Sequence, residues 1–108
     1  MDIPARDLRK FAVGFRYGDN YWLSTGVTWP FGELLLEDNT LVLSSKVLKK
    51  EIGFSRSEIH AIRSVRRFFL FPEFEIVHSR PDVPRFICFA SLERTSELRS
   101  SLRPFNLS

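Results

Sequence analysis

The chain has 108 residues, 44% of them apolar and 14% aromatic, enough for one core in a single domain spanning 1–108. Sixteen lysines and arginines against thirteen acidic residues leave a formal charge of +3, mild for a domain built to hold a polyanion, so nucleic acid is not an expected partner. No apolar run approaches the roughly 20 residues needed to cross a bilayer, the N-terminus lacks the apolar stretch of a secretory signal, and Cys88 stands alone; a cytoplasmic protein is expected.

Phe11, Val13, Phe15 and Tyr17 alternate with Ala12, Gly14 and Arg16, the period of a half-buried strand. Gly18-Asp19-Asn20 is turn chemistry, and Tyr21 to Val27 resumes an extended pattern. The Trp29-Pro30 step is expected to end that strand, because proline forces its predecessor out of the helical region and itself lacks a ladder donor. Phe31 to Glu37 and Thr40 to Ser45 flank the polar pair Asp38-Asn39 and form the clearest hairpin signal in the chain. Val47 to Phe54 reads as the next strand, with Lys49 and Lys50 placed where an edge tolerates charge.

Ser55-Arg56-Ser57-Glu58 matches a capping box, in which a serine and a glutamate three positions on satisfy backbone donors at a helix start. Only one turn is expected, because Arg63 to Arg67 reads as extended. A loop over Phe68 to Pro72 leads to a strand from Phe74 to His78. Arg80-Pro81-Asp82-Val83-Pro84 is then a turn, since two prolines cannot sit in a central strand. Arg85 to Ser91 is apolar on both faces, with Phe86, Cys88 and Ala90 on one and Ile87 and Phe89 on the other, so this strand lies in the interior. Leu98, Leu102 and Phe105 recur at helical spacing up to Pro104 and predict one closing amphipathic helix.

Catalytic and metal chemistry find little to work with. His60 and His78 are the only histidines and match no ligand spacing, so both read as structural or surface residues and no cofactor is expected. Cys88, between Ile87 and Phe89, reads as a small buried residue rather than a nucleophile. No nucleophile elbow, phosphate loop or dinucleotide turn occurs, and an enzyme is not expected. Trp22 and Trp29 read first as plugs of the core and second as exposed anchors.

The candidate site is the stretch "SVRRFFLF". Arg63, Arg66 and Arg67 precede Phe68, Phe69, Leu70 and Phe71, and basic residues beside an apolar tip can join attraction to anionic lipid with insertion of rings. The same four apolar residues can instead fold back over the end of a barrel, with Pro72 fixing the bend, or form a patch for a partner.

The segments "TWPFGELLLEDNTLVLSS" (Thr28 to Ser45), "IGFSRSEIHAIRSVRR" (Ile52 to Arg67) and "FEIVHSRPDVPRFICFAS" (Phe74 to Ser91) resemble small bacterial PH-like or GRAM-like domain proteins of uncharacterised function. The resemblance covers about residues 11 to 103. It implies an antiparallel barrel or sandwich of about seven strands with one C-terminal helix. It does not extend to inositol-phosphate binding through the first hairpin loop, where Tyr17 to Tyr21 carries Asp19 and has only Arg16 beside it. A non-catalytic module is expected, docking a protein partner or a second copy of itself; the alternative is a peripheral binder of anionic lipid headgroups.

Overall fold

The computed structural model describes residues 9–20, 22–67 and 71–107, with the backbone alone for Arg66, Arg67 and Phe71. Seven strands run in the order β1 (Arg9–Gly18), β2 (Ser24–Leu36), β3 (Thr40–Ser45), β4 (Lys50–Ser55), β5 (Ile59–Arg67), β6 (Phe71–His78) and β7 (Phe86–Ala90), followed by helix α1 (Thr95–Leu102). All neighbours are antiparallel, in the spatial order β4-β3-β2-β1-β7-β6-β5. Strands β4 and β5 lie at opposite ends of that order, yet only the 3-10 turn Arg56–Glu58 joins them. The sheet therefore has to curl until its two edges meet at this corner.

Alternation does most of the folding. Phe11, Val13 and Phe15 of β1, Leu34 and Leu36 of β2, Leu41 and Leu43 of β3, and Ile52 and Phe54 of β4 all point inward and are buried. Phe74 and Ile76, with Ile87 and Phe89, complete the wall, and Leu98, Leu102 and Phe105 close the open side. Each such side chain contributes about 1.5–3 kcal/mol on leaving water. Helix α1 is anchored to β1: Arg94 donates to the Lys10 carbonyl at 3.1 Å and stacks 4.6 Å over Phe11, and Arg9 donates to Ser101 Oγ at 2.7 Å.

The β2–β3 hairpin forms where Asp38-Asn39 predicts it, with Glu37 N–H donating to the Thr40 carbonyl at 3.0 Å. The Ser55 to Glu58 turn also forms, and Ser55 N–H donates to Glu58 Oε1 at 2.9 Å. A register shift at His60 places one extra residue in β5. That bulge is why Ile59 and Ile62, three apart, both face the core in a strand.

Three expectations need correction. Lys46 to Lys49 is a turn rather than the start of β4, and Lys49 adopts a left-handed φ of 53° that no residue type in this stretch signals. Pro72 lies within β6, opposite Arg66, rather than in a loop. The Trp29-Pro30 step does not end a strand, because β2 runs straight through it. Val13 pairs with Gly32 but Phe15 pairs with Val27, so Thr28 to Phe31 stand out from β1 as a wide bulge opposite Gly14. A proline inside a bulge removes no ladder hydrogen bond.

Each outer edge of the sheet is met by other groups over part of its length. On β4, the Arg80 guanidinium donates to the Gly53 carbonyl while pairing with Asp82 at 2.6 Å and Glu58 at 3.3 Å, and it lies 5.2 Å from the Phe54 ring centre. That hydrogen bond and ion pair hold the Asp82 carboxyl below its ordinary range and raise Arg80 above its own. On β5, Ile62 N–H donates to the Asn106 carbonyl at 2.9 Å and the Asn106 side-chain amide donates to the Ile59 carbonyl at 3.1 Å. Where these groups sit, the edge backbone is not open to a neighbouring chain.

Candidate functional site

The "SVRRFFLF" stretch is the closing end of the β5–β6 hairpin. Arg66 pairs with Pro72 and Arg67 with Phe71, and Arg63, exposed on β5, pairs with Glu75. Phe68, Phe69 and Leu70 fall outside the described residues, as do the side chains of Arg66, Arg67 and Phe71. The strand reading of Arg63 to Arg67 holds, and the surface character of the tip stays an expectation.

A second surface, unmarked in the sequence, is built around the first half of β2. Its other half, Glu33 to Leu36, is paired on both sides, with β1 and with β3. The first half has β1 on one side only, at Ser24 to Val27, and no strand among the described residues lies on its other side. Five large apolar side chains are exposed among the described residues, and four of them stand at the ends of this half: Trp22 (82%) and Leu23 (68%) before it, Phe31 (59%) at its close, and Val47 (68%) in the adjoining turn.

Local chemistry explains these positions. Asn20 Oδ1 accepts from the backbone N–H groups of Trp22 and Leu23, each at 2.9 Å, and so folds the β1–β2 loop that presents them. Trp22 is therefore an exposed residue and not the plug of the core that its size predicts. Ser45, buried, donates its hydroxyl to the Phe31 carbonyl at 3.1 Å and accepts from Leu48 N–H at 3.3 Å, which ties Phe31 to the Lys46 to Lys49 turn. Pro30, Phe31 and Val47 line one side of a groove of about 850 Å³. Lys10, Lys46, Lys49 and Lys50, all four lysines of the chain, line the same groove. Lys10 is 3.8 Å from Glu33, and Lys50 lies 5.1 Å from the centre of the Tyr17 ring.

The bulge shapes a third feature. A side chain at Gly14 would put its Cβ 2.6 Å from the Trp29 backbone nitrogen, so the crossing of β2 over β1 requires glycine here. Trp29 then shares a cleft of about 300 Å³ with Cys88, Glu73 and Leu92. Cys88 is buried (2%) as expected, but it stands apart from the main core cluster, on the β7 face opposite Phe89. Its thiol lies 3.7 Å from Glu73 Oε1, and the buried Trp29 indole N–H finds no acceptor among the described residues. Nothing in "FICFA" distinguishes a second small cluster from the main core.

His78 Nδ1 accepts from Arg80 N–H at 3.1 Å, so its Nε2–H donates to the Pro84 carbonyl at 2.9 Å, and His60 Nε2 is 2.7 Å from Ser79 Oγ. Both histidines serve turns. Among the described residues no group of three or more His, Cys, Asp or Glu is placed to hold a metal ion. No helix among them is long and apolar enough to cross a membrane.

No family model and no curated protein matches the chain. Among solved structures it is similar to the Vps36 N-terminal PH domain, at 11% identity and a TM-score of 0.59, over 92% of this chain and 80% of that one. It is also similar to the C-terminal domain of an unknown protein from Leishmania infantum, at 12% identity and a TM-score of 0.57, over 91% and 84%. At such identities the likeness is one of fold. The chain has a PH-like fold: a curled antiparallel sheet of seven strands with one C-terminal helix.

Proposed function

We propose that the chain is a non-catalytic interaction module of PH-like or GRAM-like type, acting in the cytoplasm, that docks a protein partner or a second copy of itself. The observation that carries this reading is the clustering of Trp22, Leu23, Phe31 and Val47 at the ends of one half-strand. Large apolar side chains held out by local hydrogen bonds, and not turned inward, mark a contact surface. The β5–β6 hairpin, with Arg63, Arg66, Arg67, Phe68, Phe69, Leu70 and Phe71, is the second docking element of the proposal; its arginines would supply polar contacts around an apolar centre.

A specific observation also favours peripheral binding to anionic lipid: every lysine of the chain lines one groove together with exposed Phe31 and Val47. Cationic stems beside apolar side chains suit a charged interface.

Co-sedimentation with neutral and anionic vesicles at low and high salt, run beside light scattering, separates the two. A docking module stays in the supernatant, and its mass or its capture of a protein partner persists at high salt because apolar contact is not screened. Pelleting with anionic vesicles alone, abolished by high salt and by Lys46→Glu with Lys49→Glu, would make lipid the ligand. A Phe69→Ser, Phe71→Ser variant that keeps its fold and its partner removes the hairpin tip from the site and leaves β2.

A further inference from the structure

We propose that the edge of β2 that has no neighbouring strand among the described residues accepts an extended peptide from a partner as an additional strand, and that this peptide is apolar with carboxylates at the end facing the Lys46 to Lys49 turn. The inference rests on the docking reading above and names its occupant.

Strand β2 is 13 residues long, but β3 covers only Glu33 to Leu36 of it. The open length is bounded by side chains that deal with the backbone at either end. The Arg16 guanidinium donates to the Ser24 carbonyl at 3.3 Å, and Ser45 Oγ takes the Phe31 carbonyl at 3.1 Å. Between them Thr25 to Val27, paired with β1 on their other side, offer a ladder, and the bulge that starts at Thr28 ends its regular part ahead of Pro30, which has no N–H. Three residues at about 3.3 Å each give a run of roughly 10 Å, the length of a short strand. In an antiparallel pair the N–H and C=O of alternate residues point to opposite sides, so β1 satisfies one set and the other faces outward.

A strand is the occupant this edge selects, because only a second backbone can meet alternating donors and acceptors at that spacing. On the outer strands other groups already occupy edge backbone: Arg80 takes the Gly53 carbonyl of β4, and Asn106 bonds Ile59 and Ile62 of β5. The side chains define the peptide. Trp22 and Leu23 at one end and Phe31 and Val47 at the other offer contact to apolar residues near both ends of the incoming segment. Lys46 and Lys49, exposed in the turn beyond Phe31, ask for negative charge there. A second copy of β2 is less suited, because its own stretch from Ser24 to Leu36 brings Pro30 and only one carboxylate, Glu33.

The test uses the whole chain and a bead library of randomised nine-residue peptides. Selection should enrich proline-free sequences with apolar residues near both ends and aspartate or glutamate at one end. N-methylation of alternate backbone nitrogens in a selected peptide leaves its side chains intact and should weaken binding about tenfold or more by removing ladder hydrogen bonds. Lys46→Glu with Lys49→Glu should shift selection towards lysine and arginine at that end. Peptides that bind equally well when N-methylated, and whose binding Phe31→Ser abolishes, would overturn strand addition while leaving the docking module standing. A chain that selects nothing and pellets with anionic vesicles would overturn both. A dimer whose formation blocks the selected peptides would make the second copy the occupant and overturn the peptide.

Discussion

The two halves of β2 share one strand and little else. From Glu33 to Leu36 the strand is held by a neighbour on each side and alternates strictly between buried and half-buried residues. From Ser24 to Phe31 it is held on one side, swings over Gly14 in a bulge, and is flanked by exposed aromatic and aliphatic side chains. The open half also carries large apolar residues, Val27, Trp29 and Phe31, so an apolar side chain alone does not decide what becomes core. Neighbours do: a leucine between two strands loses its water, whereas a phenylalanine beyond the end of β3 keeps it.

Substitutions along β2 should therefore divide cleanly. The largest effect is expected at Leu34, fully buried in the paired half. Leu34→Ala should cost about 2–5 kcal/mol in urea unfolding, whereas Phe31→Ser in the open half should stay within about 0.5 kcal/mol and spare the fold. Equal losses at both positions would erase the distinction. Next comes Gly14→Ala, whose new Cβ meets the Trp29 backbone. It should cost about 1–3 kcal/mol and shift tryptophan emission as the bulge moves, an outcome expected of overpacking. Ser45→Ala removes the hydrogen bonds to the Phe31 carbonyl and from Leu48 N–H and should cost about 1–2 kcal/mol in thermal melts, sharpening the boundary between the halves.

The smallest effect concerns an edge that is covered. Hydrogen bonding to Arg80 lowers the Asp82 pKa on folding, so this carboxylate contributes stability above its unfolded value and loses it as pH falls through the lower, folded one. Asp82→Asn should lower the melting temperature slightly at neutral pH, and its difference from the wild type should vanish well below pH about 4. A constant difference across pH would detach Arg80 and Asp82 from the covering of β4.

Elements written in local chemistry were legible. Asp38-Asn39, Ser55 with Glu58, the alternation of β1 and the three-and-four spacing of Leu98, Leu102 and Phe105 each specify geometry within a few residues. Those set by distant partners were not. Pro30 reads as a strand end, and only Gly14, a distant position, turns it into part of a bulge. Lys49 carries a left-handed φ that asparagine or glycine would have announced. The candidate site was least legible. "SVRRFFLF" attracts notice because its apolar residues are contiguous, whereas Trp22, Phe31 and Val47 sit inside patterns that look like ordinary strands. Their exposure depends on where β3 stops, and four residues of pairing between β2 and β3 carry no trace of that in composition.

The position of β1 in the middle of the strand order sets a schedule for the chain's assembly. Its first neighbour, β2, follows at once, but its second, β7, is the last strand made: Gly14 meets Ala90, and the hydrogen bond from Ser91 to the Ala12 carbonyl spans 79 positions. A ribosome must release nearly the whole domain before the centre of its sheet can be sealed. Contacts this distant in sequence place folding among the slower small domains, roughly milliseconds to seconds. Until β7 arrives, the β1 edge of the β1–β2 hairpin carries backbone that has not yet found its second neighbour, the kind of open edge that pairs with other chains.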